Sequence, residues 1–311
     1  MDLVTVEEIR SAAERIRGTA LRTPLMPCTW GDPNRPLWLK PENIQPTGAF
    51  KIRGACAAIT PAMRGVVTHS SGNHGQAVAY VARKMGIPAV IVTPTTAPEV
   101  KVTAMRDLGA EVVLVPPSER LRRAERLAAE RQLVIIPPFD DPAVIAGQGT
   151  VGLEIAEDLP DVQIVLVPVG GGGLASGIGV AIRAMVPGAV VIGVEPELAA
   201  DARDSLREDR LIEWPVDLTR RTVADGLRAN SLSELTFGHL REVLDGIITV
   251  TEEEIRSTVG ILARRSHLVA EPSGAVATAG YLYHRDEIPI GRTVAVVSGG
   301  NIDPKLFASL L

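Results

Sequence analysis

The chain has 311 residues, 46% of them apolar, 22% charged and only 3% aromatic, so its core must be packed from Val, Ile, Leu and Ala, as buried parallel sheets are. Its net charge of −5, with basic residues dispersed among acids, excludes the basic footprint of a nucleic-acid binder, and no apolar run is long enough to cross a bilayer. A small-molecule partner is expected, and Cys28 and Cys56, which form no CxxC or zinc pattern, point to the reducing cytoplasm.

The opening MDLVTVEEIRSAAERIRG reads as an amphipathic helix with acids as well as bases, unlike a signal peptide. WLKPEN follows as a strand. From Arg64 the pattern alternates: strand GVVTHS, helix NHGQAVAYVARKMG, strand AVIVTP, helix PEVKVTAMRDLG, strand EVVLVPP, helix SERLRRAERLAAERQ and strand LVIIPP. Short β-branched runs between periodic helices predict βαβ units on a parallel sheet. Gly86 and Gly109 stand just past two of these helices, where a left-handed cap needs no Cβ. A second series runs from DVQIVLVPV through GGGGLASGIGVAIRAMVPG and AVVIGVEP to TVAVVSGG. With no linker dividing the chain, the expectation is a small domain over residues 61–142 inserted into a larger one of residues 1–60 and 143–311.

Open parallel sheets bind ligands beyond the carboxyl ends of their strands, and SSGNHG, GGGG, GVEP and SGGN all fall there. Gly170, Gly171, Gly172 and Gly173 follow a buried strand and open a helix. Unhindered amides at such a turn converge on a dianion, and the helix dipole adds to the attraction. An ordinary turn has little need of four glycines, each costly in chain entropy. Gly170, Gly172 and Ala175 also fit a GxGxxA dinucleotide pattern, with Glu195 about where a ribose-binding acid stands, and from the loop alone that alternative stays open. It has no use for Lys51, one of only five lysines in the chain. Lys51 lies between Phe50 and an apolar run, where desolvation would free its amine for carbonyl chemistry that arginine cannot perform. Such an amine beside a phosphate cradle is what pyridoxal phosphate requires.

In order and spacing, KPENIQPTGAFKIRGA, THSSGNHGQAVAYVARKMGIPAVIVTPTTAP, PAVIAGQGT, VPVGGGGLASG, TVADGL, EPSGA and VVSGGN resemble the pyridoxal-phosphate enzymes of the tryptophan synthase β-like fold (fold type II). Within that fold they resemble the branch of threonine/serine dehydratases and serine racemases. The resemblance spans nearly the whole chain. It implies an α/β protein of two open, twisted parallel-sheet domains with the cofactor in the cleft between them, and a homodimer. It also implies that Lys51 binds the cofactor covalently, that Phe50 packs on its ring and that Asn73 bonds its phenolic oxygen. Gly170, Gly171, Gly172 and Gly173 with the Leu174 amide would hold the phosphate, and Ser298 would face the pyridine nitrogen. A hydroxyl there does not keep that nitrogen protonated, which favours quick loss of a β-substituent. Ser70, Ser71, Gly72, Asn73 and His74 would receive the carboxylate of a β-hydroxy amino acid.

The reaction so implied is elimination from L-threonine or L-serine to a 2-oxo acid and ammonia, with Lys51 taking the Cα proton. Ser71 departs from the Ala usual in biosynthetic threonine dehydratases and matches serine racemases, in which a hydroxyl on the opposite face returns a proton. Phe139 in PPFDDP matches the dehydratase form. Dehydratase is therefore the first expectation, serine racemase or 3-hydroxyaspartate dehydratase the alternatives. Glu195, Ala199 and Asp201 match the branch's cation site, whose two carboxylates and backbone carbonyl suit Mg²⁺, Mn²⁺ or Ca²⁺. SGGNIDPKLFASLL follows the last strand with no amino-acid-sensing domain behind it, so feedback through such a module is not expected.

Overall fold

The computed structural model describes residues 3–70, 72–97 and 99–311, apart from the side chain of Val100. Strand β1 (Met26–Asp32) pairs antiparallel with β2 (Arg35–Pro41). Next come β3 (Val66–His69), β4 (Ala89–Pro94), β5 (Glu111–Val115) and β6 (Val134–Ile135), which form a parallel sheet in the order β5-β4-β3-β6. Strands β7 (Ile164–Pro168), β8 (Val190–Pro196), β9 (Gly246–Val250) and β10 (Thr293–Val297) complete the other sheet, in the order β1-β2-β10-β7-β8-β9. Apart from β1, its pairings are parallel.

The helices predicted between the strands are present, at Asn73–Met85, Glu99–Asp107 and Arg120–Arg131 in the smaller sheet's layers. Gly86 and Gly109 have φ of 70° and 86°, the left-handed caps expected of them. The sequence reading placed no strand at β9, and two further differences from it have local causes. Strand β1 contains Pro27 and Gly31, which argue against a strand, yet β1 lies at the sheet edge, where a missing donor is tolerated. LVIIPP shrinks to the two residues of β6 because Pro137 and Pro138 have no N–H to continue the ladder.

Strands β7 and β10 are buried at every position, Ile164 to Pro168 and Thr293 to Val297, because helices cover both faces of the sheet. Each fully buried Val, Ile or Leu side chain there contributes about 1.5–3 kcal/mol. The helices Pro142–Asp158 and Gly173–Met185 cross so closely that a Cβ on Gly177 would lie 2.7 Å from the Gly149 Cα. That crossing fixes the start of the second helix, and the polyglycine turn, under the carboxyl end of β7.

Candidate active site

Lys51 opens the helix Lys51–Ala58, and stitching between two loops sets its place. The Phe50 N–H donates to the Ser298 carbonyl at 3.1 Å and the Gly300 N–H to the Gly48 carbonyl at 2.8 Å, while Ala49 and Gly299 form an antiparallel bridge. PTGAFK follows β2 and SGGN follows β10, and these strands are parallel neighbours. Their pairing therefore brings Lys51 and Ser298 together. Lys51 Nζ donates to the Pro138 carbonyl at 2.6 Å and lies 4.9 Å from the centre of the Phe50 ring. Burial, with no carboxylate to offset it, lowers the Lys51 pKa from 10.5 to about 8. The amine can thus be uncharged without strongly alkaline conditions.

Beneath this lysine lies an ionic cluster that sequence reasoning missed. Arg53, fully buried, donates to both oxygens of Glu42 at 2.7 and 2.8 Å and both of Glu154 at 2.6 and 2.8 Å. Lys40 donates to Glu154 and to the Thr23 carbonyl, each at 2.6 Å. Its two cations and two anions balance, and they pin the lysine's helix to β2 and to the helix Pro142–Asp158.

The glycine turn was expected as an anion cradle. Gly172, with φ of 86°, is the N-cap of Gly173–Met185, and no side chain caps that helix. The helices beginning at Lys51, Asn73 and Pro272 likewise have no side-chain cap; elsewhere Thr5, Ser233 and Thr251 cap their helices, while Arg120–Arg131 and Asp201–Arg207 are uncapped too. Four uncapped N-termini at the expected site leave their N–H groups and positive dipole ends to a ligand. Phe139 packs on this turn, its Cβ 3.0 Å from where a Cβ on Gly173 would stand. Leu174 is buried behind it.

In the loop after β3, the Ser70 hydroxyl accepts from the Gly72 N–H at 3.2 Å. Ser71 lies outside the described residues. Asn73 Nδ2 donates to Glu271 at 2.5 Å, and Asn73 Oδ1 accepts from Asn301 at 2.8 Å. His74 is buried, with Nε2 2.9 Å from the Ile136 carbonyl. A carbonyl only accepts, so Nε2 carries the hydrogen and Nδ1, which has no partner among the described residues, is a bare acceptor. Burial and the Lys51 charge push the His74 pKa down to about 3, which removes it as a general acid. The Ser298 hydroxyl, also buried, donates to the Ser273 carbonyl at 3.3 Å.

Apart from this group, Glu195, the penultimate residue of β8, lies beside Asp201, the first residue of the helix Asp201–Arg207. Both are fully buried, as is Ala199. Glu195 accepts from the Ala202 and Arg203 N–H groups at 3.2 and 2.8 Å, while neither Asp201 oxygen has a hydrogen-bond partner among the described residues. Burial and mutual repulsion raise the Glu195 pKa, and burial raises that of Asp201 to about 7. Among the described residues no cluster of three or more His, Cys, Asp or Glu side chains is present.

A family model described as "Pyridoxal-phosphate dependent enzyme" matches residues 16–299. The chain belongs to that family. The L-threonine ammonia-lyase of Geobacter sulfurreducens is 42% identical over 306 residues, covering 96% of this chain and 75% of the relative. The serine racemase of Schizosaccharomyces pombe is 38% identical over 320 residues, covering 99% and 98%. Among solved structures, maize serine racemase superposes with a TM-score of 0.93 at 35% identity, covering 99% of this chain and 97% of that one. The fold is thus that of the fold type II pyridoxal-phosphate enzymes.

The residues present fit the family's cofactor. An uncompensated buried amine, an uncapped glycine turn and a buried hydroxyl at Ser298, whose hydrogen would turn from the Ser273 carbonyl to the ring nitrogen, are the complement of an aldehyde, a phosphate and that nitrogen. The Glu195–Asp201 pair equally fits a hard cation, since two unpartnered carboxylate oxygens in a buried site are what such an ion takes. The sequence reading assigned no role to Glu271 or Asn301. Glu271 stands immediately before Pro272 and does not cap that helix; its side chain turns to Asn73.

Proposed function

We propose that this pyridoxal-phosphate enzyme removes the β-hydroxyl and the amino group from L-threonine or L-serine, giving 2-oxobutanoate or pyruvate and ammonia. The observation that carries the reading is the buried Lys51 amine, without a carboxylate partner, among four uncapped helix N-termini. Lys51 would hold the cofactor covalently, Gly170, Gly171, Gly172, Gly173 and Leu174 its phosphate, Asn73 its phenolic oxygen, Ser298 its ring nitrogen and Phe50 its ring face. When bound, pyridoxal phosphate supplies the electron sink that makes the substrate's α-hydrogen acidic.

The protein's own part is proton handling and orientation. The loop Ser70, Ser71, Gly72, Asn73 and His74 opens a helix and receives the substrate carboxylate on its N–H groups. With the α-carbon so held, Lys51 takes the proton, a role its lowered pKa suits. The Pro138 carbonyl at 2.6 Å orients Nζ. His74, fixed neutral, contributes an acceptor at Nδ1 and no proton. Ser71 is the residue through which D-serine would arise. The test is a product assay with L-threonine, L-serine and L-threo-3-hydroxyaspartate, following 2-oxo acid and D-amino acid together. The reading expects the 2-oxo acid to dominate with threonine or serine; D-serine as the main product would make the enzyme a racemase.

Glu195, Asp201 and the Ala199 carbonyl would hold Mg²⁺, Mn²⁺ or Ca²⁺. Chelator is then expected to lower the Tm and Mg²⁺ to restore it, a hundredfold excess over Kd contributing about 2.7 kcal/mol of folding free energy. Asp201→Asn should abolish that response, and a wild-type Tm indifferent to chelator in a differential scan would remove the site. The reading also includes a cytoplasmic homodimer. No helix among the described residues is long and apolar enough to cross a membrane.

A further inference from the structure

Asn73 is held at both ends of its side-chain amide by segments remote in sequence. Asn301 Nδ2 donates to the Thr47 carbonyl at 2.8 Å and to Asn73 at 2.8 Å. A backbone carbonyl can only accept, which fixes which end of the Asn301 amide is nitrogen. The Asn73 atom it meets must then be oxygen, so the other end, 2.5 Å from Glu271, is nitrogen. That nitrogen carries two hydrogens and spends one on Glu271. Glu271 is 2% exposed, and its backbone N–H is itself tied to the Gly299 carbonyl at 3.0 Å.

We propose that Glu271 and Asn301 are positioning residues that lock the Asn73 amide in one orientation, leaving its second hydrogen for the cofactor's phenolic oxygen. This rests on the reading above that Asn73 serves that oxygen, and goes beyond it by saying what prevents the amide from turning. Were it to turn, an acceptor would face an electron-rich oxygen. The lock also joins three segments, PTGAFK through Thr47, SGGN through Asn301 and EPSGA through Glu271, to the helix Asn73–Met85. The carboxyl of Glu271 is raised to about 8 by burial and by Asp225, with Lys101 acting in the opposite sense. Asp225 and Lys101 pair with each other at 2.5 Å.

A donor to the phenolic oxygen favours its deprotonated form, which gives the lysine-bound cofactor its long-wavelength absorbance. The measurement is the pH titration of that band without substrate, together with the Kd for pyridoxal phosphate, in the reconstituted protein. In Glu271→Leu and Asn301→Ala the titration midpoint should move up by about one pH unit and the Kd should rise about tenfold. Glu271→Gln, which keeps an acceptor oxygen for Asn73, should restore both values. Should Glu271→Leu not fold, Asn301→Ala decides alone, since Asn301 is partly exposed. A wild-type band that neither variant moves overturns this inference only; a wild type with no such band overturns the covalent role of Lys51 and this inference with it.

Discussion

Lys51→Ala is expected to lose the absorbance of lysine-bound pyridoxal phosphate and at least on the order of 10²–10⁴-fold of the rate of 2-oxo acid formation. Two functions vanish with one side chain: covalent attachment and the base for the α-proton. Lys51→Arg tests the same point more narrowly. Arginine keeps the positive charge and fills similar space, but its guanidinium neither attacks an aldehyde nor accepts a proton near neutrality. It should be as inactive as alanine; 2-oxo acid formation within about tenfold of wild type by either purified variant would reassign the base. The lowered pKa adds a kinetic expectation. Only the neutral amine attacks an aldehyde, so cofactor loading of the apoprotein should accelerate as pH rises and level off above about 8, well below the ordinary lysine value of about 10.4. Stopped-flow absorbance across that range is the check.

The second large effect concerns stability. Arg53→Met leaves Glu42 and Glu154 buried without the guanidinium that meets both oxygens of each. Breaking a buried pair by removing one partner costs about 3–5 kcal/mol, a large share of the roughly 5–15 kcal/mol that holds a domain folded. Chemical denaturation should show that loss, and a variant within 1 kcal/mol of wild type, a shift of the size expected at about an exposed ion pair, would mean the cluster is solvated in solution. The pH dependence follows from the sign of the shift at Glu42. The guanidinium beside it holds its pKa below the usual carboxylate value of 4.5 against the opposing effect of burial. Its stabilisation is therefore present above 4.5 and is lost as pH falls through the lower folded value. The arginine variant should have lost this acid-labile increment. Because Arg53 stands two residues after Lys51 on one helix, it should also bind pyridoxal phosphate more weakly.

The inner strands of both sheets were legible in the sequence because they are short, β-branched and separated by periodic helices, a pattern that needs no long-range information, whereas the edge strands β1 and β9 were not read. The polyglycine turn was legible for the same reason, since strand, turn and helix adjoin in the chain. Lys51 and Ser298 were each legible as residues, but their meeting depends on β2 and β10 being neighbours across some 250 residues of sequence. Arg53 could not be read. A lone arginine in KIRGA looks like a solvated charge, and its partners Glu42 and Glu154 are 11 and 101 positions away. Glu271 could not be read either, because its partner Asn73 lies 198 positions away in the chain.

The place of β10 in its sheet has a consequence for biosynthesis. It lies between β2 and β7, although it is the last of the six strands in chain order. During translation the β1–β2 hairpin and the β7–β8–β9 half must wait as separate pieces, their inner edges unpaired, until that strand leaves the ribosome. Such exposed edges invite association with other chains. Vitamin B6 should therefore be captured only once β10 has emerged, and nascent chains halted just before β10 should remain dependent on chaperones.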